Sequence, residues 1–237
     1  MKRKHYDNYD YEEAYKKQID TLTEWELEQM MKGKQINSLY RTTTTKAGDQ
    51  LEADIYPSFG KKQDEPRTKR KRESRPSQKN LNDKRARRYL NNLTAANFDK
   101  GDLWGTFSYD EDHLPGSIDE ATKIFGNFIR KINRKRKKKG KENLKYIYVT
   151  EYSDDPKKGI RCHHHMIFSG DEDRDELEKM WIYGSRTQTR RLDPDPDTHL
   201  TGLSMYLTKD PKGKKRWSAS RGLKKPEKNL KKRTCFF

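Results

Sequence analysis

Arg161-Cys162-His163-His164-His165-Met166-Ile167-Phe168-Ser169 holds three of the six histidines in this 237-residue chain. The run reads as a buried strand. Side chains alternate between the two faces of a strand. Cys162, His164, Met166 and Phe168 therefore share one face, and His163, His165 and Ile167 share the other. Two imidazoles two residues apart on one strand face can grip one metal ion from the same side. The competing reading is a core strand with incidental histidines, or a tract with adventitious metal affinity. A same-face pair favours the metal site.

Working outward, Lys145 to Tyr152 is a second strand, rich in aromatic and β-branched residues. Ser153-Asp154-Asp155-Pro156-Lys157-Lys158-Gly159 supplies a turn, so the two strands are antiparallel. Ile147, Val149 and Glu151 share a face. If odd positions pair with odd, Glu151 opposes Arg161 and Val149 opposes His163, and Glu151 joins His163 and His165. A shift of two residues keeps that face, and a shift of one destroys it. Two imidazoles and one carboxylate with open positions suit Mn²⁺ or Mg²⁺ acting as a Lewis acid on a phosphate oxygen. The competing reading of Glu151 is a strand-end charge in water.

Phosphodiester chemistry needs a nucleophile, either water or a protein hydroxyl. Among 13 tyrosines, Tyr206 stands three residues before Lys209 on a helix expected over about 200–209. Leu200, Leu203 and Leu207 would press that helix onto the sheet. The ammonium of Lys209 would favour ionisation of the phenol and balance phosphate charge. Tyr-x-x-Lys is also common by chance, and a tyrosine on a helix is often only packing.

Lys and Arg number 54 against 37 Asp and Glu, a formal net charge of +17. That excess points to a polyanion. Nucleic acid is preferred to membrane, because no apolar run approaches spanning length. The N-terminal Met1-Lys2-Arg3-Lys4-His5-Tyr6 lacks the apolar core of a signal peptide, and Cys162 and Cys235 form no zinc spacing. A cytoplasmic protein is expected. Arg134, Arg136, Lys137 and Lys138, at the basic end of a helix over 117–139, and Arg161 are the expected phosphate contacts.

Four regions are expected. Residues 1–60 form an accessory region with a short helix over about 24–32, opened by Thr23-Glu24-Trp25-Glu26, and a hairpin from Leu39 to Tyr56. Residues 61–80 are a basic linker. Residues 81–225 are the main domain, and 226–237 a basic tail. Within the main domain, helix is expected over 81–93, 117–139 and 173–181. Strand is expected over 103–109, 145–152, the histidine run and 185–192. Ser117-Ile118-Asp119-Glu120 is a capping box, and the apolar set 118, 121, 125, 128, 129 and 132 marks one helix face. The order β-α-β-β-α-β predicts an α+β fold, an antiparallel sheet with helices of ferredoxin-like or RRM-like type.

These residues resemble the HUH endonucleases, and more closely the rolling-circle replication initiators of small plasmids and single-stranded DNA phages. Thr106-Phe107-Ser108-Tyr109 with Leu114-Pro115 resembles that family's first motif, and Tyr148-Val149-Thr150-Glu151-Tyr152 through His163-His164-His165 the second. Trp181 to Gly184 and Gly202-Leu203-Ser204-Met205-Tyr206-Leu207-Thr208-Lys209 resemble the region of the third. The likeness covers roughly residues 80–225. One departure is His164, where the family has a bulky hydrophobic residue.

The resemblance implies an HUH nuclease core and metal-dependent nicking of single-stranded or hairpin origin DNA. Tyr206 would form a 5′-phosphotyrosyl link and leave a free 3′-OH. With one tyrosine in the motif, termination would need a homodimer or reuse of the same residue, and a host helicase and polymerase would be further partners. A mobilisation relaxase or single-tyrosine transposase would share this chemistry. A rival of another class is a non-catalytic RNA- or DNA-binding module that stacks bases on Tyr146, Tyr148 and Tyr152.

Overall fold

The computed structural model describes residues 40–57, 76–153, 161–208 and 216–233. The expected helix over 24–32 lies outside them, as does most of the expected linker. Residues 76–80 of that linker are helical. The chain divides into two compact units, one of 1–46, 50–88 and 227–237, the other of 47–49 and 89–226.

In the first unit, β1 (Tyr40–Ala47), β2 (Gln50–Pro57) and β8 (Glu227–Arg233) form a sheet of order β2-β1-β8. The expected hairpin is present. Its turn places Gly48 at φ 60°, a conformation that costs glycine little. The segment read as a basic tail over 226–237 instead supplies β8, antiparallel to β1 from Tyr40 opposite Arg233 to Lys46 opposite Glu227. Glu227-Lys-Asn-Leu-Lys-Lys-Arg has almost no apolar alternation to announce a strand. The backbone groups of β1, not its own side chains, give it a place. Helix α1 (Pro76–Ala95) runs further than the 81–93 expected. Within the first unit its Arg88 reaches Glu52 and Asp54 of β2, both at 2.7 Å.

The second unit contains β3 (Leu103–Ser108), α2 (Ile118–Lys138), β4 (Tyr146–Glu151), β5 (His163–Phe168), α3 (Arg174–Met180), β6 (Gln188–Arg191), α4 (Thr201–Leu207) and β7 (Ser218–Ala219). All its sheet pairings are antiparallel, in the order β6-β3-β5-β4-β7. Without β7 this is the strand order of a ferredoxin-like β-α-β-β-α-β unit. The α+β expectation holds.

Helix α2 starts where the capping box predicts. Ser117 Oγ accepts from the Glu120 N–H at 3.2 Å, and the Glu120 carboxylate accepts from the Gly116 N–H at 2.8 Å. Its Ala121, Phe125, Phe128, Ile129 and Ile132 are buried against one face of the sheet, with Phe107, Tyr148, Met166 and Phe168. Tyr148 is buried there and Tyr146 and Tyr152 pack against the same cluster. This corrects the idea of a tyrosine stacking platform, since the rings lie on the face that α2 covers. The opposite sheet face carries Trp104, Ile147, Val149 and Ile167.

The register of β4 on β5 differs from expectation by two residues. Glu151 opposes His163 and Val149 opposes His165. The even shift leaves all three site residues on one face.

Arg136 does not serve as a free phosphate contact. It is buried, donates to the Glu142 carbonyl at 2.6 Å, and pairs with Asp171 at 3.0 Å and with buried Glu172. Desolvation opposes its charge, but the two carboxylates outweigh it and hold its pKa above the ordinary value. Removing one partner of a buried pair strands the other charge. Arg136→Ala should therefore cost about 3–5 kcal/mol of stability by urea unfolding.

Candidate metal centre and its nucleophile

Neighbouring strands bring the site together on the face away from α2. Thr106 of β3 and Val149 of β4 flank His165, and Ser108 and Glu151 flank His163. One donor atom from each of Glu151, His163 and His165 lies within 4.8 Å of the others. The two imidazole Nε2 atoms are 3.0 Å apart, and each is 3.7 Å from an oxygen of Glu151.

The partners on the far side of each ring fix its orientation. His163 Nδ1 is 2.7 Å from the Arg161 carbonyl. A carbonyl only accepts, so Nδ1 carries the hydrogen and the neutral ring turns a bare Nε2 towards the site. His165 Nδ1 lies 3.1 Å from Thr106 Oγ1. A hydrogen on that nitrogen leaves the second Nε2 bare as well. Two lone pairs and a carboxylate aimed at one point repel each other unless a cation lies between them. First-row divalent ions hold such donors at about 2.0–2.2 Å, which suits nitrogens 3.0 Å apart. Two nitrogens and an oxygen thus fit a divalent metal ion.

Tyr206 reaches the same point. Buried Leu200 and Leu207, with partly buried Leu203, seat α4 on this face of the sheet. Tyr206 Oη is then 3.2 Å from His165 Nε2. The Tyr206 ring meets the His165 ring edge-on at 5.0 Å, and Trp104 stacks on the other side of that imidazole at 5.1 Å and 16°. Lys209, expected on the same helix face, lies outside the described residues, and α4 ends at Leu207.

His164 points the other way, as the alternation requires. It is fully buried, stacked on Phe125 at 4.1 Å. Its Nε2 is 2.8 Å from Tyr109 Oη and its Nδ1 2.9 Å from Thr150 Oγ1. A polar ring thus occupies a hydrophobic position because both nitrogens have partners. Burial first, then the neighbouring His163 and His165, holds its pKa well below the ordinary histidine value.

The other residues expected to meet phosphate are dispersed. Arg161 is exposed just before β5, and Arg134, Lys137 and Lys138 are exposed on α2, which packs on the opposite face of the sheet. The sequence reading missed Trp104 and Thr106, whose relevance depends on β3 lying beside β5. It also missed a cavity of about 830 Å³ beside the site, bounded by Trp104, His165, Arg174, Gln188, Arg190 and Tyr206. Its polar wall comes from an edge strand four residues long, too short to announce itself by pattern.

At the rim, the Trp181 indole N–H donates to the Ser108 carbonyl at 2.7 Å. A Cβ at Gly184 would lie 2.1 Å from that same oxygen, so only glycine fits this approach. The Trp181-to-Gly184 stretch therefore clamps the end of β3.

Residues 102–211, a little under half of the chain, match a family model of replication-associated proteins of the ORF2 type. The match spans all three site residues and Tyr206, and it supports a role in the initiation of replication. No curated protein and no solved structure matches the chain. No helix among the described residues is long and apolar enough to cross a membrane.

The His164 environment has a measurable consequence. The unfolded chain protonates this histidine below about pH 6.5, and the native state does not. Its contribution is present above that pH and is lost as pH falls, with a slope of up to about 1.4 kcal/mol per pH unit. His164→Leu should lack this part of the slope in urea titrations with chelator between about pH 5 and 7.5. It should also cost about 1–3 kcal/mol at neutral pH, because Tyr109 and Thr150 lose their partner.

Proposed function

We propose that the chain is a metal-dependent, site-specific endonuclease and strand transferase of HUH type that starts rolling-circle replication. The observation that carries this reading is the convergence of Tyr206 Oη, His163, His165 and Glu151 on one point of the sheet. The bound ion would polarise a non-bridging oxygen of the scissile phosphate.

In this reading Glu151, His163 and His165 hold the ion. The Arg161 carbonyl and Thr106 keep the two rings turned towards it. Tyr206 Oη attacks phosphorus as the bond to O3′ breaks. The phenol gives up its proton and the departing 3′-oxygen gains one. The products are a 5′-phosphotyrosyl link and a free 3′-OH that can prime synthesis. A phenol is a workable leaving group, so attack by a later 3′-OH reseals the strand without ATP. Water as nucleophile would forfeit that bond.

The substrate is single-stranded or hairpin origin DNA, and the setting is the cytoplasm of a bacterial host. Arg134, Lys137, Lys138 and Arg161 bind phosphates, and Lys209 balances charge near Tyr206. A homodimer, or Tyr206 used twice, would complete termination, with host helicase and polymerase extending the strand. A relaxase or a single-tyrosine transposase would use the same residues on a different DNA. The stacking module is disfavoured by the tyrosines packed under α2.

Incubation with single-stranded circular DNA and Mn²⁺ should yield an adduct that survives a denaturing gel. Tyr206→Phe should still bind DNA and Mn²⁺ but form none, and His163→Ala should lose Mn²⁺ binding by calorimetry. Mapping of the linked peptide to another tyrosine would remove Tyr206 from the mechanism.

Affinity should fall with salt. Replacing Arg134, Lys137 and Lys138 by Gln should flatten the log–log slope for single strands by about 0.7 for each phosphate that is no longer neutralised. An unchanged slope would show that this helix end does not meet DNA.

A further inference from the structure

We infer that the cavity beside Tyr206 is a purine-selective subsite for a nucleotide next to the scissile phosphate, read by Gln188 and Arg190. The inference rests on the proposed nicking reading. Gln188 opposes Thr106 and Arg190 opposes Trp104 on β3. Both therefore stand on the sheet face that carries His163 and His165. Thr106 in turn opposes His165, so Gln188 lies two strands from the metal ligand, about 10 Å at ordinary strand spacing. That is the reach of an adjacent nucleotide.

The edge strand is held firmly enough to present these groups. From α3, Glu178 accepts from the Thr189 N–H and hydroxyl at 2.7 and 2.6 Å, and Arg174 donates to the Thr189 carbonyl at 2.6 Å. Both backbone groups of Thr189 are thus taken by side chains of one helix. Gln188 and Arg190 are exposed and make no side-chain hydrogen bond among the described residues. Gln offers the donor–acceptor pair that matches adenine N7 and N6, and Arg the fork that matches guanine O6 and N7. Pyrimidines present no such paired edge. The volume, about 830 Å³, is in the range of ligand sites and leaves room for the larger bases. The helical wall is open at Gly202, where an added Cβ would meet nothing within 4 Å.

The test is fluorescence anisotropy of the full chain in EDTA, where no strand is cut. The probes are a short oligothymidylate and the same oligomer carrying one central adenine or guanine. One purine should tighten binding about five-fold or more, the lower end of the discrimination given by one bidentate contact. The double variant Gln188→Leu, Arg190→Leu should bind all three probes alike. Gly202→Leu, which fills the opening and replaces glycine within a helix, should also lose the preference while keeping its melting temperature. Equal binding of the probes by the unaltered chain, or a purine preference that survives in either variant, would overturn the subsite. The adduct assay separates the two readings: adducts without purine preference reject the subsite alone, and purine preference without adducts rejects nicking alone.

Discussion

The site depends on the parity of β5. Consecutive side chains on that strand serve opposite halves of the molecule: His163 and His165 face the metal centre, and His164 faces the core. A slip of one residue would exchange these roles and bury the ligand imidazoles under α2. His164 opposes such a slip from below. Its two hydrogen bonds reach β4 through Thr150 and the end of β3 through Tyr109, and its ring lies flat on Phe125 of α2. A purely apolar side chain would pack in that place with less directional preference. Here the polar ring ties three elements to one register, so the anomalous residue of the motif is also its anchor.

Much of this was legible in the chain itself. Alternation along 161–169 assigned the faces correctly, and the even shift in hairpin register did no harm because parity was preserved. The capping box at Ser117 and the apolar spacing after it located α2 almost to the residue. Leucines at 200, 203 and 207 indicated how Tyr206 would be pressed towards the sheet. What stayed hidden was mostly non-local. Arg136 lies in a run of cations that looks uniformly solvated, and only the carboxylates of Asp171 and Glu172 set it apart. Thr106 acquires a role only when β3 is known to lie beside β5.

The second unit also divides its labour by face. One side of the sheet is sealed by α2 and a dense set of aromatic rings around Phe125 and Trp181. The other carries a smaller apolar patch that seats α4 and leaves the polar row from Gln188 to Glu151 accessible. The closely packed side stiffens the sheet on which the reacting groups stand. Sites built on such strands hold their geometry more closely than sites built on loops.

The pairing of β1 with β8 bears on how the chain is made. Tyr40 finds its partner at Arg233, so this sheet closes only after everything between them has been synthesised. During translation β1 has an open edge for as long as the ribosome takes to produce the intervening residues. Pairings of such long sequence separation form slowly, because loop closure precedes any favourable contact. The second unit, assembled from nearer neighbours, can fold first, leaving the β1 edge exposed to partners other than β8. Threonines at 42–45 and the neighbouring cations Arg41 and Lys46 give that waiting edge a polar, charged character that discourages aggregation on the nascent chain.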